Sequence, residues 1–127
     1  MINILLSIIG YDIWFYISHL MLHTQYLYIY HSEHHKNIIN LTFLDTYVGH
    51  VLEGPFQGIG MFLPYLFYSV NFLEWIIILL LLNIRGMLRH DFRCAWLIGN
   101  HHLLHHQYPK YNYGEFWIDY LCGSLKN

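Results

Sequence analysis

The arrangement of histidines is the feature that most limits how this chain can fold. Eight of its eleven histidines lie in three short clusters, with the patterns H-x-x-x-H, H-x-x-H-H and H-x-x-H-H. The first cluster is His19 and His23, the second lies within residues 31–35, and the third lies within residues 102–106. On an α-helix, positions i, i+3 and i+4 share one face, so each cluster directs two or three imidazoles toward a common point. This is the spacing of metal ligands.

Three such clusters in one small chain favour metal binding, although a lone histidine is most often an ordinary buried or exposed side chain. Neutral imidazoles are common ligands, and eight or nine of them can surround two divalent cations. Nitrogen ligands suit zinc, copper, iron and nickel alike, so the spacing leaves the metal open. Asp12 lies seven residues before His19 and eleven before His23, on the same side of a helix. There its carboxylate can accept a ring N–H and orient a ligand.

The composition indicates a membrane protein. Hydrophobic residues make up 56% of the 127 residues and charged residues 11%, whereas an ordinary soluble domain has about 25% charged residues. The formal net charge of −2 lacks the basic excess that binding to nucleic acid requires. The two cysteines, Cys94 and Cys122, form neither a disulfide framework nor a zinc-binding pair.

Two apolar runs predict the topology of a single domain over residues 1–127. Residues 2–22 are long enough for one spanning helix and lack a cleavage signal, so we expect them to remain in the mature protein. Residues 54–84 separate the second histidine cluster from the third, so a shared site requires this run to return to its starting side. We therefore predict a hairpin that turns near residues 68–71, because one tilted helix would split the clusters across the bilayer.

These observations predict an all-α integral membrane fold: a transmembrane helix plus a short helical hairpin, with a histidine-rich helical cap that holds a dimetal site. The cap comprises residues 19–53 and 85–127. By the positive-inside tendency it faces the cytosol, since it carries all six lysines and arginines: Lys36, Arg85, Arg89, Arg93, Lys110 and Lys126.

The order of the clusters resembles the fatty acid hydroxylase superfamily, and in particular its sterol desaturase and methylsterol oxidase branch. The flanking residues that carry the same resemblance are Asp12, His50-Val-Leu-Glu53, His90, Asn112-Tyr113-Gly114, Trp117-Ile-Asp119 and Gly123-Ser124. The resemblance implies two iron ions, held by His19, His23, His31, His34, His35, His90, His102, His105 and His106. His50, Glu53, Asp12 and Asp119 are supporting positions around these ligands, and His101 is left out as a neighbour.

The resemblance also implies a function. A member of this family is expected to hydroxylate or desaturate a lipid, a sterol or a fatty acyl chain, with O2 and electrons from cytochrome b5 or a reductase. The expected location is the membrane of the endoplasmic reticulum. Two alternatives stay open: a zinc-dependent membrane hydrolase and a non-catalytic metal-binding remnant. The chain lacks the H-E-x-x-H motif that such a hydrolase would use, although Glu33 lies inside the second cluster.

Overall fold

The fold is helical throughout the part of the chain that the computed structural model describes, residues 2–127, and no strand occurs there. This confirms the predicted all-α class. Short 3₁₀ turns connect the helices between residues 28 and 66 and again at Phe92–Cys94. The α-helices are α1 (Ile2–Leu22), α2 (Glu53–Gly58), α3 (Phe72–His90), α4 (Ala95–Ile98), α5 (His101–Gln107) and α6 (Phe116–Cys122).

Helix α1 has the length and surface of a membrane-spanning helix. Its 21 residues measure about 31 Å, the thickness of a hydrocarbon core, and it is the one helix within residues 2–127 that is long and apolar enough to cross. Ile9, Ile13 and Ile17 are exposed, whereas Ser7 and Asp12 are buried. Polar side chains inside and apolar side chains outside suit a lipid environment.

The apolar run over residues 54–84 has two unlike halves. Its first half consists of α2 and two 3₁₀ turns, Ile59–Met61 and Leu63–Leu66. Its second half is α3, which begins at a capping box: the Asn71 side chain accepts a hydrogen bond from the Glu74 amide at 2.9 Å. The helix continues past residue 84 to His90, because its last charged side chains find ionic partners inside the protein.

Helices α1 and α3 pack side by side and run in the same direction. Near their beginnings Asn3 lies 3.4 Å from the Glu74 carboxylate, and farther along Arg85 pairs with Asp12. The buried core between them is Met61, Ile78 and Leu82. Both helices therefore lead toward the same end of the molecule, where the histidines lie.

Gly60 permits the close approach of the 3₁₀ turn Ile59–Met61 to α1. A Cβ atom at Gly60 would lie 2.7 Å from the Cβ atom of Trp14. We expect Gly60→Ala to lower the free energy of unfolding by about 1–3 kcal/mol, because this contact is already filled. Thermal unfolding in detergent measures the change. Gly58→Ala is the matched control, since its Cβ would meet nothing within 4 Å; equal losses in the two variants would contradict the prediction.

Candidate metal centre

The structure brings nine histidines into two adjacent groups. Within each group the candidate ligand nitrogens all lie within 4.8 Å of one another, and all nine side chains except that of His23 are buried. The five-histidine group is His19, His23, His31, His35 and His105. The four-histidine group is His34, His90, His102 and His106. These are the nine ligands that the family resemblance implies.

Each group draws on several elements. Helix α1 and the residue that follows it supply His19 and His23, and the last residue of α3 is His90. The two H-x-x-H-H clusters are divided between the groups: His34 and His35 point to different groups, and so do His105 and His106. Adjacent residues on a helix are rotated by about 100° from each other, so one helical turn can serve two neighbouring sites.

Most of these imidazoles are held in place by a hydrogen bond from the ring nitrogen that faces away from the group. The Nδ1–H groups of His34 and His90 donate to the carbonyl oxygens of Val48 and Gly86, each at 2.8 Å. The Nδ1–H groups of His19 and His105 donate to the carbonyl oxygens of Tyr113 and Tyr111, at 2.5 and 2.6 Å. The Nδ1–H of His106 donates to the carbonyl oxygen of Asn37 at 3.2 Å. The Nδ1–H of His31 donates to the Glu53 carboxylate at 2.9 Å. Ligands of metals are commonly oriented in this way.

These hydrogen bonds leave facing lone pairs inside each group. A carbonyl oxygen only accepts, so Nδ1 carries the proton in His34 and His90, and Nε2 carries a lone pair in the neutral ring. Their Nε2 atoms nevertheless lie 3.0 Å apart. In the other group the Nε2 atoms of His19 and His31 lie 2.9 Å apart. Buried lone pairs that face each other at this distance repel, and a metal ion bound by both nitrogens would remove that repulsion, so the donor set fits a metal ion in each group.

Burial disfavours protonation of the imidazoles inside the groups. Burial lowers the pKa of His23 to about 3 and that of His31 to about 4, so both imidazoles are neutral near pH 7. Burial raises the pKa of the Glu53 carboxyl to about 7. One oxygen of Glu53 accepts the His31 N–H, while the other is buried without a hydrogen-bond partner.

The supporting positions have different surroundings. Asp12 pairs with Arg85 rather than with an imidazole, because the carbonyl oxygen of Tyr113 already accepts the His19 N–H. His50 is exposed and its ring packs against Tyr30, outside both groups.

Asp119 acts on the loop that holds two ligands. Its buried carboxylate accepts hydrogen bonds from the Tyr113 and Gly114 amides, at 2.9 and 2.8 Å, and from His101 Nε2 at 2.9 Å. His101 therefore lies outside both groups, as the sequence analysis expected for a neighbour. The carbonyl groups of Tyr111 and Tyr113 were not foreseen, because every residue has a carbonyl and no side-chain pattern marks these two.

A cavity of about 230 Å³ reaches both groups. His19 and His31 of the five-histidine group line it, as do His34, His90 and His102 of the four-histidine group. The rest of its wall includes the apolar side chains of Phe15, Met61, Leu79 and Leu82 and the charged side chains of Glu53 and Arg89. The rim includes the exposed side chains of Tyr47 and Asn83. A hydrocarbon segment in this cavity would lie directly against the histidines.

Residues 2–127, which are helical with one candidate membrane span and two histidine groups that could hold metal ions, have the features of a membrane metalloprotein. The family model of fatty acid hydroxylases matches residues 4–124. The chain belongs to this family, which confirms the resemblance seen in the sequence.

Among curated proteins the chain is similar to two Delta(7)-sterol 5(6)-desaturases. The protein of Candida glabrata is 27% identical over 131 residues, and that of Eremothecium gossypii is 26% identical over 127 residues. Each alignment covers 91% of this chain but only 34% and 35%, respectively, of the relative. The chain thus spans about a third of the length of these relatives. No solved structure matches the chain.

Proposed function

We propose that the chain is the catalytic core of a membrane-bound di-iron oxygenase that hydroxylates or desaturates a lipid. The observation that carries this proposal is the pair of histidine groups with facing Nε2 lone pairs, because such groups are neutral, buried and suited to two cations. The proposed ligands are the nine histidines of the two groups. The substrate class, a sterol or fatty acyl chain, rests on family membership and on the apolar side chains that line the cavity.

The spacing of the nitrogens favours ligands at right angles over the tetrahedral arrangement of structural or hydrolytic zinc, and family membership supports iron as the metal. Two nitrogens that bind one ion at about 2.0–2.1 Å lie roughly 2.8–3.0 Å apart when their bonds to the ion meet at a right angle. They lie roughly 3.3–3.4 Å apart when the bonds meet at the tetrahedral angle that zinc prefers. The closest Nε2 pairs in the two groups are separated by 2.9–3.1 Å. Five imidazoles in one group also exceed the four positions of a tetrahedral site.

The chain's own residues prepare the site for lipid oxidation. Bound iron supplies the oxygen-dependent chemistry that an unactivated C–H bond requires. The carbonyl groups and Glu53 fix the rotation of the imidazoles, so the ligands need little rearrangement when metal binds. Phe15, Met61 and Leu82 exclude water from the cavity and hold a hydrocarbon segment against the histidines.

The proposal includes partners and a place in the cell. Electrons come from cytochrome b5 or a reductase that docks on the cytosolic cap formed by residues 19–53 and 85–127. The hairpin over residues 54–84 returns the chain to that side, and the membrane is that of the endoplasmic reticulum. The lysines and arginines of the cap and the sterol desaturase relatives support this assignment.

The test combines metal analysis with turnover. The chain is purified in detergent, loaded with ferrous iron without air, and supplied with a reductase, cytochrome b5, air and a panel of sterols and fatty acyl lipids. We expect about two iron ions per chain and a product with one added oxygen atom or two fewer hydrogen atoms. A preference for zinc would support the hydrolase. Iron-loaded protein that turns over no lipid would support the non-catalytic remnant.

Glu53 provides a separate prediction about metal affinity. Loss of a carboxylate that orients a histidine ligand commonly weakens metal binding by about 10- to 100-fold. We expect Glu53→Ala to lower the affinity for ferrous iron by this factor, measured by competition with a chelator, and Glu53→Gln to lower it less because an amide oxygen still accepts the His31 N–H. An affinity of Glu53→Ala equal to that of the unmodified chain would show that the carboxylate does not support His31.

A further inference from the structure

Helix α6 exposes its apolar face. Phe116, Trp117, Tyr120 and Leu121 follow the helical spacing of one face and are 58%, 41%, 68% and 72% exposed. The opposite face buries Asp119, whose carboxylate is fully covered. A helix at the surface of a water-soluble protein has the reverse arrangement, and a continuous apolar patch of this kind marks a surface that contacts something else.

The contacts of α6 place it beside the second half of α1. Glu115, which precedes α6, contacts Arg89 at 2.8 Å and Arg85 at 3.4 Å, and Arg85 in turn pairs with Asp12. The Tyr16 hydroxyl lies 3.1 Å from the Ser124 hydroxyl, just after α6 ends. The exposed face is therefore level with the part of α1 that precedes His19.

A second exposed patch lies next to α3. In the short helix α4, Trp96 is 83% exposed and Leu97 is 59% exposed. The next residue, Ile98, shares a shallow apolar groove with Ile84 and Leu88 of α3. This patch, too, is continuous with the apolar outer surface of the long helices rather than with the histidine centre.

We propose that α4 and α6 form an interfacial collar, defined by Trp96, Leu97, Phe116, Trp117, Tyr120 and Leu121, that inserts into the headgroup and upper acyl region of the bilayer. The inference rests on the membrane placement in the proposed function. Tryptophan and tyrosine favour this region of a membrane because their rings are apolar and their N–H and O–H groups are polar. Short amphipathic helices lie there with the apolar face toward the acyl chains. The collar fixes the depth of the histidine centre relative to the bilayer. Lipids enter the cavity from below this centre.

The test uses fluorescence of the full chain in phosphatidylcholine vesicles whose acyl chains carry bromine near the headgroup or near the bilayer centre. The emission of each tryptophan is obtained by difference from the variants Trp96→Phe and Trp117→Phe. We expect both side chains to lose most of their emission with bromine near the headgroup and much less with bromine at the centre. Lys36→Trp, at a position whose side chain is 70% exposed in an ion pair with Glu33, is the control for the water side and should keep its emission.

A further variant separates failure of the collar from failure of the membrane placement. Ile13→Trp puts a reporter on the exposed face of α1. If this reporter is quenched while Trp96 and Trp117 are not, the collar is overturned. The exposed apolar face of α6 would then be a contact surface for a protein partner. If the Ile13→Trp reporter is also unquenched, the chain does not span the bilayer, and the proposed function fails with the collar. Cys122, exposed at the end of α6, gives a second readout. A charged maleimide should label it severalfold more slowly than a cysteine introduced as Lys36→Cys in the same vesicles, and equal rates would overturn the collar.

Discussion

Alanine at His105 and alanine at His106 are expected to remove different metal ions, although the two residues are adjacent. His105 belongs to the five-histidine group and His106 to the four-histidine group. Each variant should retain about one of the two proposed iron ions, and the double variant should retain neither. Because loss even of a supporting residue commonly costs about 10- to 100-fold, we expect loss of a ligand to reduce lipid turnover by more than about a hundredfold. Elemental analysis and turnover measure the two effects.

His50→Ala is the matched control for these variants. His50 is exposed, lies outside both groups, and has its ring against Tyr30. Its replacement should leave the metal content unchanged. If His105→Ala and His106→Ala each lose both ions in equal measure, or if His50→Ala loses one, the assignment of ligands to two separate groups is incorrect.

Removal of Arg85 is expected to destabilise the protein strongly. Arg85 bridges Asp12 of α1 and Glu115 ahead of α6, and the Asp12 side chain is only 5% exposed. Breaking a buried ion pair by deleting one partner leaves an uncompensated charge and costs about 3–5 kcal/mol. We expect a loss of this size for Arg85→Leu, measured by unfolding in detergent.

A double-mutant cycle separates the ion pair from packing. Asp12→Leu combined with Arg85→Leu removes both charges, so it should be more stable than Arg85→Leu alone. Lys36→Ala is the exposed control: its ion pair with Glu33 lies in solvent, with the two side chains 70% and 55% exposed, and its loss should leave the unfolding midpoint in place. Additive losses from the two buried substitutions would mean that the pair is not coupled.

The sequence was informative about which histidines converge and much less so about how they divide into two groups. Spacing marked His19, His23 and the two H-x-x-H-H clusters as one-sided sets. It could not reveal that His34 separates from His35, since that depends on short 3₁₀ turns whose rotation tertiary contacts set. The family resemblance added His90, which has no histidine neighbour along the chain.

Asp12 illustrates a limit of helical spacing. Its position relative to His19 and His23 made it a candidate for orienting an imidazole, yet its partner is Arg85, 73 residues away in the sequence. Periodicity reports which side of a helix a residue occupies, but not which other helix lies there. The run over residues 54–84 shows a related limit: hydrophobicity indicated burial in lipid or protein, but it did not distinguish the short turns of the first half from the long helix α3 of the second.

The main-chain carbonyl groups that hold the imidazoles carry an evolutionary consequence. Five of the nine histidines are oriented by the backbone of Asn37, Val48, Gly86, Tyr111 and Tyr113. A carbonyl oxygen does not depend on the identity of its side chain, so these positions can change residue while the geometry of the ligands persists. Divergence can therefore proceed around an intact centre, and sequence identity as low as 26–27% to the desaturase relatives is compatible with a preserved arrangement of histidines.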